Sequence, residues 1–406
     1  MKFYEMSVEE RLKFLRDKYS LTDEEIDAIR NGGLDIDKAN HMVENAIGMI
    51  SFPLGIATNF FINGKEYLIP MSIEEPSVIA AASKAAKLTR RLGGFKSNSD
   101  EPYMIGQIQI INLKDPLDAA KRVLDTKDAI LDIANSKSQT LKRLNAGAKD
   151  LSYKIIDSML IVELLIDVRD AMGANIINTM CEAVAPLIEE VTGGKVLLRI
   201  LSNYSTSRIA RAEAKISKDE LGEEVIDNII NAYRFAILDK YRAVTHNKGI
   251  MNGIIAVANA LMQDSRAIEA AAHAYACRNG YSSLTDWSKD EDGNLIGKIE
   301  LPLAVGTIGG AINIHPVVKA SLKILNVNSS KELAAVMASV GLAQNLAALL
   351  ALSTTGIQKG HMKMHARNIA MLAGARGSLI DLVSKMIYEE NNITLARAKE
   401  ILANLK

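Results

Sequence analysis

The chain has 406 residues, beyond the usual size of one hydrophobic core, so two domains or one large elaborated domain is expected. Its 48 basic and 48 acidic residues cancel, which leaves no electrostatic footprint for nucleic acid or an anionic membrane. The two cysteines, Cys181 and Cys277, lie far apart in apolar, helical-looking surroundings; they read as reduced core residues, not as metal ligands.

The N-terminal MKFYEMSVEERLKFLRDKYSL lacks the apolar stretch of a signal peptide. Ser7 and Glu10 form a capping box that predicts a helix over 8–17, and Thr22 with Glu25 repeats the device. Next comes a β-branched region in which Asn63-Gly64 marks a hairpin between FFI and EYLIPM. Glu44-Asn45, a polar pair in an apolar approach to it, reads as a turn. Glu74-Glu75-Pro76 is expected to open an alanine-rich helix that stops at Gly93-Gly94, with its carboxylates favoured by the helix dipole.

Residues 107–202 read as a unit: a strand at GQIQIINL, helices over 116–146, and a long apolar strand within Lys154–Val168. A glycine turn, a helix over about 174–191 and a strand at 195–202 follow. This order predicts an α+β layer with helices on one face. The turn Asp170-Ala171-Met172-Gly173-Ala174-Asn175 feeds a helix N-terminus, which suits an anion, but it lacks the GxGxxG spacing of a Rossmann site. Beyond Asn203, Ser205–Lys215 and Glu220–Lys240 read as helices.

Arg242–Ala276 is the chemically richest stretch. Lys248 sits among His246, Asn247 and Gly249, and the apolar run Ile250–Met262 predicts a buried helix, continuous or broken at Gly253. A buried lysine needs a partner, and Asp264 could return to meet it; alternatively Asp264 simply caps a helix over 265–276. SKDEDGN reads as a hairpin connection, and Gly306, Gly309 and Gly310 allow close backbone approach. The most apolar window, Leu333–Leu352, contains Gln344-Asn345, so it is expected to be a buried helix of a soluble protein. His361 and His365 have i, i+4 spacing but no third ligand, and no metal site is expected. Gly356 and Gly360 flank the start of that segment, with short helices predicted over 378–389 and 394–404.

HNKGIMNG followed by QDSRAIEAAAHAYA resembles the active-site region of class II (prokaryote-type) 3-hydroxy-3-methylglutaryl-CoA reductases. The likeness continues through ENAIG, IEEPSVIAA, DAMGANIINTM, LAVGTIGGAINIHP and GHMKMHARNIA, and so spans nearly the whole chain in order. It implies an α+β fold with a large, mostly helical substrate and dimerisation domain (1–106 and 204–355), an inserted non-Rossmann cofactor domain (107–203) and a C-terminal flap (356–406). It implies reduction of hydroxymethylglutaryl-CoA to mevalonate and CoA, through bound mevaldehyde, with two NADPH. Mevalonate oxidation in the reverse direction and a non-catalytic acyl-CoA-binding protein are the alternatives.

By the same resemblance Glu75, Lys248, Asp264 and His361 are catalytic: Lys248 at the substrate carbonyl, Asp264 orienting it, Glu75 handling the aldehyde proton, His361 protonating the CoA thiolate. Ser77, Arg242 and Asn252 would hold the hydroxymethylglutaryl group, with Asn203 and Gln344 nearby. Asp170, Met172, Gly173 and Asn175 would lie at the cofactor, with Gly309 and Gly310 beside the site. NADH-preferring relatives place an aspartate at the position of Ser138; Lys137, Ser138, Thr140, Lys142 and Arg143 here favour a 2′-phosphate, hence NADPH over NADH. The implied protein is a cytoplasmic homodimer with no membrane anchor, its active sites at the subunit interface, with further association of dimers left open.

Overall fold

The structure, a computed structural model, describes residues 2–354 and 356–405, apart from the side chains of residues 311, 357–361, 363 and 364. Both capping boxes form as read. Ser7 caps α1 (Val8–Tyr19) and Thr22 caps α2 (Asp23–Asn31), each paired reciprocally with the glutamate three residues on. After α3 (Ile36–Met42) the chain runs through an extended segment into β1 (Leu54–Ile62) and β2 (Lys65–Ser72). Asn63 and Gly64 both take positive φ, at 49° and 82°, which is the two-residue hairpin geometry their sequence predicts.

Glu74 and Glu75 do not open the next helix. α4 spans Val78–Thr89 and begins after Ser77, which sits in the left-handed region at φ 76°. The two carboxylates therefore stay in a loop, where their side chains can reach other elements. β3 (Phe95–Ser99) then leads directly to β4 (Tyr103–Ile111).

Residues 116–146 form three short helices, α5 (Pro116–Asp125), α6 (Lys127–Ser136) and α7 (Gln139–Arg143). The expected strand within Lys154–Val168 is one arm of a hairpin, β5 (Gly147–Ile156) and β6 (Met159–Asp167), because Asp157 turns the chain at φ 56°. α8 (Ala174–Thr192) and β7 (Lys195–Ser202) complete an antiparallel sheet in the order β5-β6-β4-β7. Met104, Ile108, Leu160, Leu164, Ile177, Met180 and Val184 fill its core, with α5, α6 and α8 packed on the sheet.

The expected helix over 205–215 is the strand β8 (Ile209–Ile216). Ala210, Ala212 and Ala214 alternate with Arg211, Glu213 and Lys215. The alanines and charges imitate a helical composition, but the period of two prevails once the alanine face is buried. β8 pairs antiparallel with β3, from Phe95↔Ala214 to Ser99↔Ala210, so the whole small sheet is inserted between two neighbouring strands of the large one.

The rest of the large unit comprises α9 (Lys218–Leu221), α10 (Glu223–Leu238), α11 (Lys240–Ala260), α12 (Ser265–Ala276), β9 (Thr285–Lys289), β10 (Leu295–Pro302), α13 (Pro316–Leu325) and α14 (Ser330–Ser353). Its six-stranded sheet runs β2-β1-β3-β8-β10-β9. α14 is the sole helix among the described residues long and apolar enough to cross a membrane, yet 83% of its most apolar window is buried inside the fold. That burial matches the expectation drawn from its Gln344-Asn345 pair. α15 (Ile357–Leu372), α16 (Ser378–Glu389) and α17 (Leu395–Asn404) close around a separate small core of Ala366, Val383, Ile387 and Ile401.

Candidate active site

α11 is continuous through Gly253, where a side chain would meet Gln344 Cβ at 3.0 Å; glycine lets α11 and α14 approach closely. Asp239 caps the helix by accepting from the Arg242 amide. The two residues before Lys248 anchor its inner face. His246 Nε2 lies 2.9 Å from both Thr285 Oγ1 and Ser283 Oγ, and Asn247 donates to Ser282 O at 2.8 Å. Burial, and then the charge of Arg242, push the His246 pKa down to about 3, so its imidazole is neutral near pH 7.

With those side chains turned inward, Lys248 and Asn252, one turn apart, point outward together. Lys248 Nζ donates to Glu75 Oε2 at 3.0 Å, and Asn252 Nδ2 donates to the same oxygen at 3.2 Å. The partner of the lysine is thus the acid from the β2–α4 loop. Asp264 caps α12 instead, accepting from the Ala267 amide at 3.0 Å, and it has no contact with Lys248 within 4.0 Å. Lys248 is also not buried: its side chain is 62% exposed and that of Glu75 33%.

The other residues expected at the substrate are spread around the pair. Arg242 is half-buried, with no carboxylate within 4.0 Å among the described residues, and burial lowers its pKa. Ser77 lies two residues beyond Glu75, and both line a cavity of about 1730 Å³ with Lys84, Lys87 and His315. Gln344 is buried, and its Oε1 has no hydrogen-bond partner among the described residues, so backbone does not satisfy it. Asn203 is exposed just past the end of β7 and makes no hydrogen bond to Lys248, Glu75 or Asn252.

The glycine turn is built from backbone. Gly173 has φ 96°, and a Cβ there would lie 2.5 Å from Val168 Cγ1; no side chain caps the α8 N-terminus that it opens. Asp170 Oδ1 accepts from the Ser330 amide at 2.8 Å, which ties the turn to the start of α14. Met172 is partly buried, and Asn175 is exposed in the first turn of α8. Ser138 is the N-cap of α7, bonded to the Leu141 amide, so the expected helical face is interrupted there. Lys137, Thr140, Lys142 and Arg143 are exposed around it, and none of the three cations has a carboxylate within 4.0 Å among the described residues.

Gly309 and Gly310 are exposed, with φ 90° and 54°, whereas Gly306 is buried against the glycine turn. The His361 side chain falls outside the described residues. No metal-binding cluster occurs among those that are described.

An acid, a lysine and an amide thus meet at the edge of one unit, and an uncapped glycine turn opens a long helix in the other. A family model for hydroxymethylglutaryl-coenzyme A reductase matches residues 7–366. The chain belongs to that family. It is 54% identical over 409 residues to the 3-hydroxy-3-methylglutaryl-coenzyme A reductase of Archaeoglobus fulgidus, covering all of this chain and 94% of that one. The reductase of Streptococcus pneumoniae superposes with a TM-score of 0.84 at 39% identity, covering 100% of this chain and 99% of that one. A second S. pneumoniae structure, described as a class II reductase bound to NADPH in open conformations, gives a TM-score of 0.82 at 39% identity, covering 98% and 100%. The α+β fold is accordingly that of class II hydroxymethylglutaryl-CoA reductases.

Two side chains to which the sequence assigned no role also lie along the seam between the units. Arg208 is buried at the crossing from β7 to β8, and Gln263, immediately before Asp264, bonds to Gly306. Neither carries a local signal, since each binds backbone far away in the chain.

Proposed function

We propose that this chain reduces hydroxymethylglutaryl-CoA to mevalonate and CoA at the expense of two NADPH, with mevaldehyde held between the two reductions. The observation that carries the reading is the Lys248–Glu75–Asn252 cluster: a cation and a carboxylate, 3.0 Å apart, at an open face. NADPH supplies one hydride to the substrate carbon in each reduction. Lys248 donates a hydrogen bond to the thioester oxygen and stabilises the oxyanion as the carbon becomes tetrahedral. Glu75 keeps that ammonium in place and passes the proton to the aldehyde oxygen in the second reduction. Asp264, which caps α12 and makes no contact with Lys248 here, orients that lysine once substrate is bound, and His361 protonates the departing CoA thiolate. Arg242 binds the free carboxylate of the substrate, with Ser77, Asn252, Asn203 and Gln344 around it.

Asp170, Met172, Gly173 and Asn175 hold the dinucleotide, whose phosphates suit the free amides of the α8 N-terminus. Lys137, Lys142 and Arg143 flank Ser138, where no acid opposes a 2′-phosphate, and this favours NADPH over NADH. Gly309 and Gly310 line the approach between the two ligands. In domain terms, 1–106 with 204–355 bind substrate, 107–203 bind the cofactor, and 356–406 form a flap over the site. The segment after Glu44-Asn45 exposes Ile47 completely and Ile50 at 89%, an apolar strip that a second copy of the chain covers in a cytoplasmic dimer with shared active sites.

The test is the loss of nicotinamide absorbance with hydroxymethylglutaryl-CoA, run with NADPH and NADH in parallel. Rapid oxidation of NADPH with release of free thiol is expected. No oxidation of either nucleotide would overturn the function, and equal or faster rates with NADH would overturn the cofactor preference.

A further inference from the structure

The glycine turn and the α11–α12 region meet along one seam, held by two side chains that bind no carboxylate. Arg208 is 1% exposed, the largest side chain among the fully buried residues. It sits on the return crossing between the two sheets. Its guanidinium donates to Ala171 O in the glycine turn and to Val305 O just past β10, taking one carbonyl from each unit. Burial desolvates this cation, and the nearby charges of Asp170 and Asp167 offset that only in part, so it adds little stability; but a planar fork with five donors fixes the relative position of the groups it bridges.

Gln263 forms the second tie. Its amide donates to Gly306 O at 2.9 Å and accepts from Gly306 N at 2.8 Å, a two-way clasp on one residue. Gly306 in turn lies against the backbone of Asp170–Met172; a Cβ on it would be 2.7 Å from Met172 N. The Thr307 amide donates to Asp170 O at 2.8 Å along the same seam. The contacts therefore run without a gap from Asp264, through Gln263 and Gly306, to Met172 and Gly173.

We propose that Arg208 and Gln263 are positioning residues for hydride transfer, setting the offset between the glycine turn and the Asp264 end of the substrate site. The proposal rests on the cofactor and substrate assignments above. Neither residue touches the reacting atoms; each acts by holding backbone.

The test uses Gln263→Ala and Arg208→Lys in the full-length enzyme, with ordinary NADPH and with NADPH deuterated at the transferred position. Misplacing the donor slows the chemical step, so turnover should fall about tenfold to a hundredfold. The deuterium isotope effect on turnover should rise, the KM for NADPH should increase, and the KM for hydroxymethylglutaryl-CoA should stay within about twofold. Arg208→Lys, which keeps the charge and one of the two bonds, should be milder than Arg208→Met. A role in folding alone would lower the melting temperature and leave the isotope effect unchanged. That result in folded Gln263→Ala, whose half-buried side chain can be removed without emptying a core, overturns the proposal. A wild-type chain that oxidises no NADPH would instead overturn the function on which it rests.

Discussion

The Lys248–Glu75 cluster and the glycine turn are built by opposite means. The first is a meeting of side chains from α11 and the β2–α4 loop, 173 residues apart in sequence, on a face open to solvent. The second is a meeting of backbones, in which Gly173 and Gly306 matter for the atoms they lack. A cluster of the first kind can lose a charge and keep its fold; one of the second kind cannot gain a methyl group without moving. Chemistry and scaffold should therefore separate cleanly under mutation.

The largest expected effect is on the side-chain cluster. Lys248→Ala should lower turnover by about 10²–10³ with little change in melting temperature, because an exposed ion pair contributes little to stability. Parallel kinetics and thermal melts check this; a large drop in stability would erase the contrast. Gly306→Ala should behave in the reverse sense. Forcing a Cβ against the backbone at Met172 should cost about 1–3 kcal/mol of stability and raise the KM for NADPH. Urea titration and cofactor titration report the two effects.

His246 sharpens the comparison from beneath the cluster. Its folded pKa of about 3 lies below the ordinary value near 6.5, so only the unfolded chain takes up a proton between these limits. Stability is then fully present above pH 6.5 and is lost as the pH falls, by about 2 kcal/mol between pH 7 and pH 5. Denaturant unfolding across that range should show a shallower pH dependence in His246→Gln by that amount. The smallest effect belongs to Asn252→Ala. It removes one hydrogen bond to Glu75, worth about 0.5–1.5 kcal/mol, so turnover should fall about twofold to tenfold.

Much of the fold was legible where a local rule governs. Asn63-Gly64, the boxes at Ser7 and Thr22, and the glycines that bound α8 each act within a few residues of themselves. Besides the helix start expected at Glu74-Glu75-Pro76, β8 was misread: its buried face is Ala210, Ala212 and Ala214 up to Ile216, so composition spoke for helix and only the pairing with β3 and β10 decides. In the site, Lys248 and Glu75 were legible as residue types, but their pairing was not. Asp264 is nearer in sequence and seemed the natural partner, yet it is engaged at the N-terminus of its own helix. Arg208 left no trace, and Gln263 stood only as the first residue of QDSRAIEAAAHAYA without a role, because a side chain that binds distant backbone has no local pattern to betray it.

The central claim is that the ammonium of Lys248 serves the thioester oxygen while Glu75 holds it in place. A crystal structure of the enzyme with hydroxymethylglutaryl-CoA bound tests this directly. The expected result is Lys248 Nζ within about 2.7–3.2 Å of the thioester oxygen, with Glu75 still bonded to it. A thioester oxygen held by other groups, with Lys248 extended into solvent, would contradict the account.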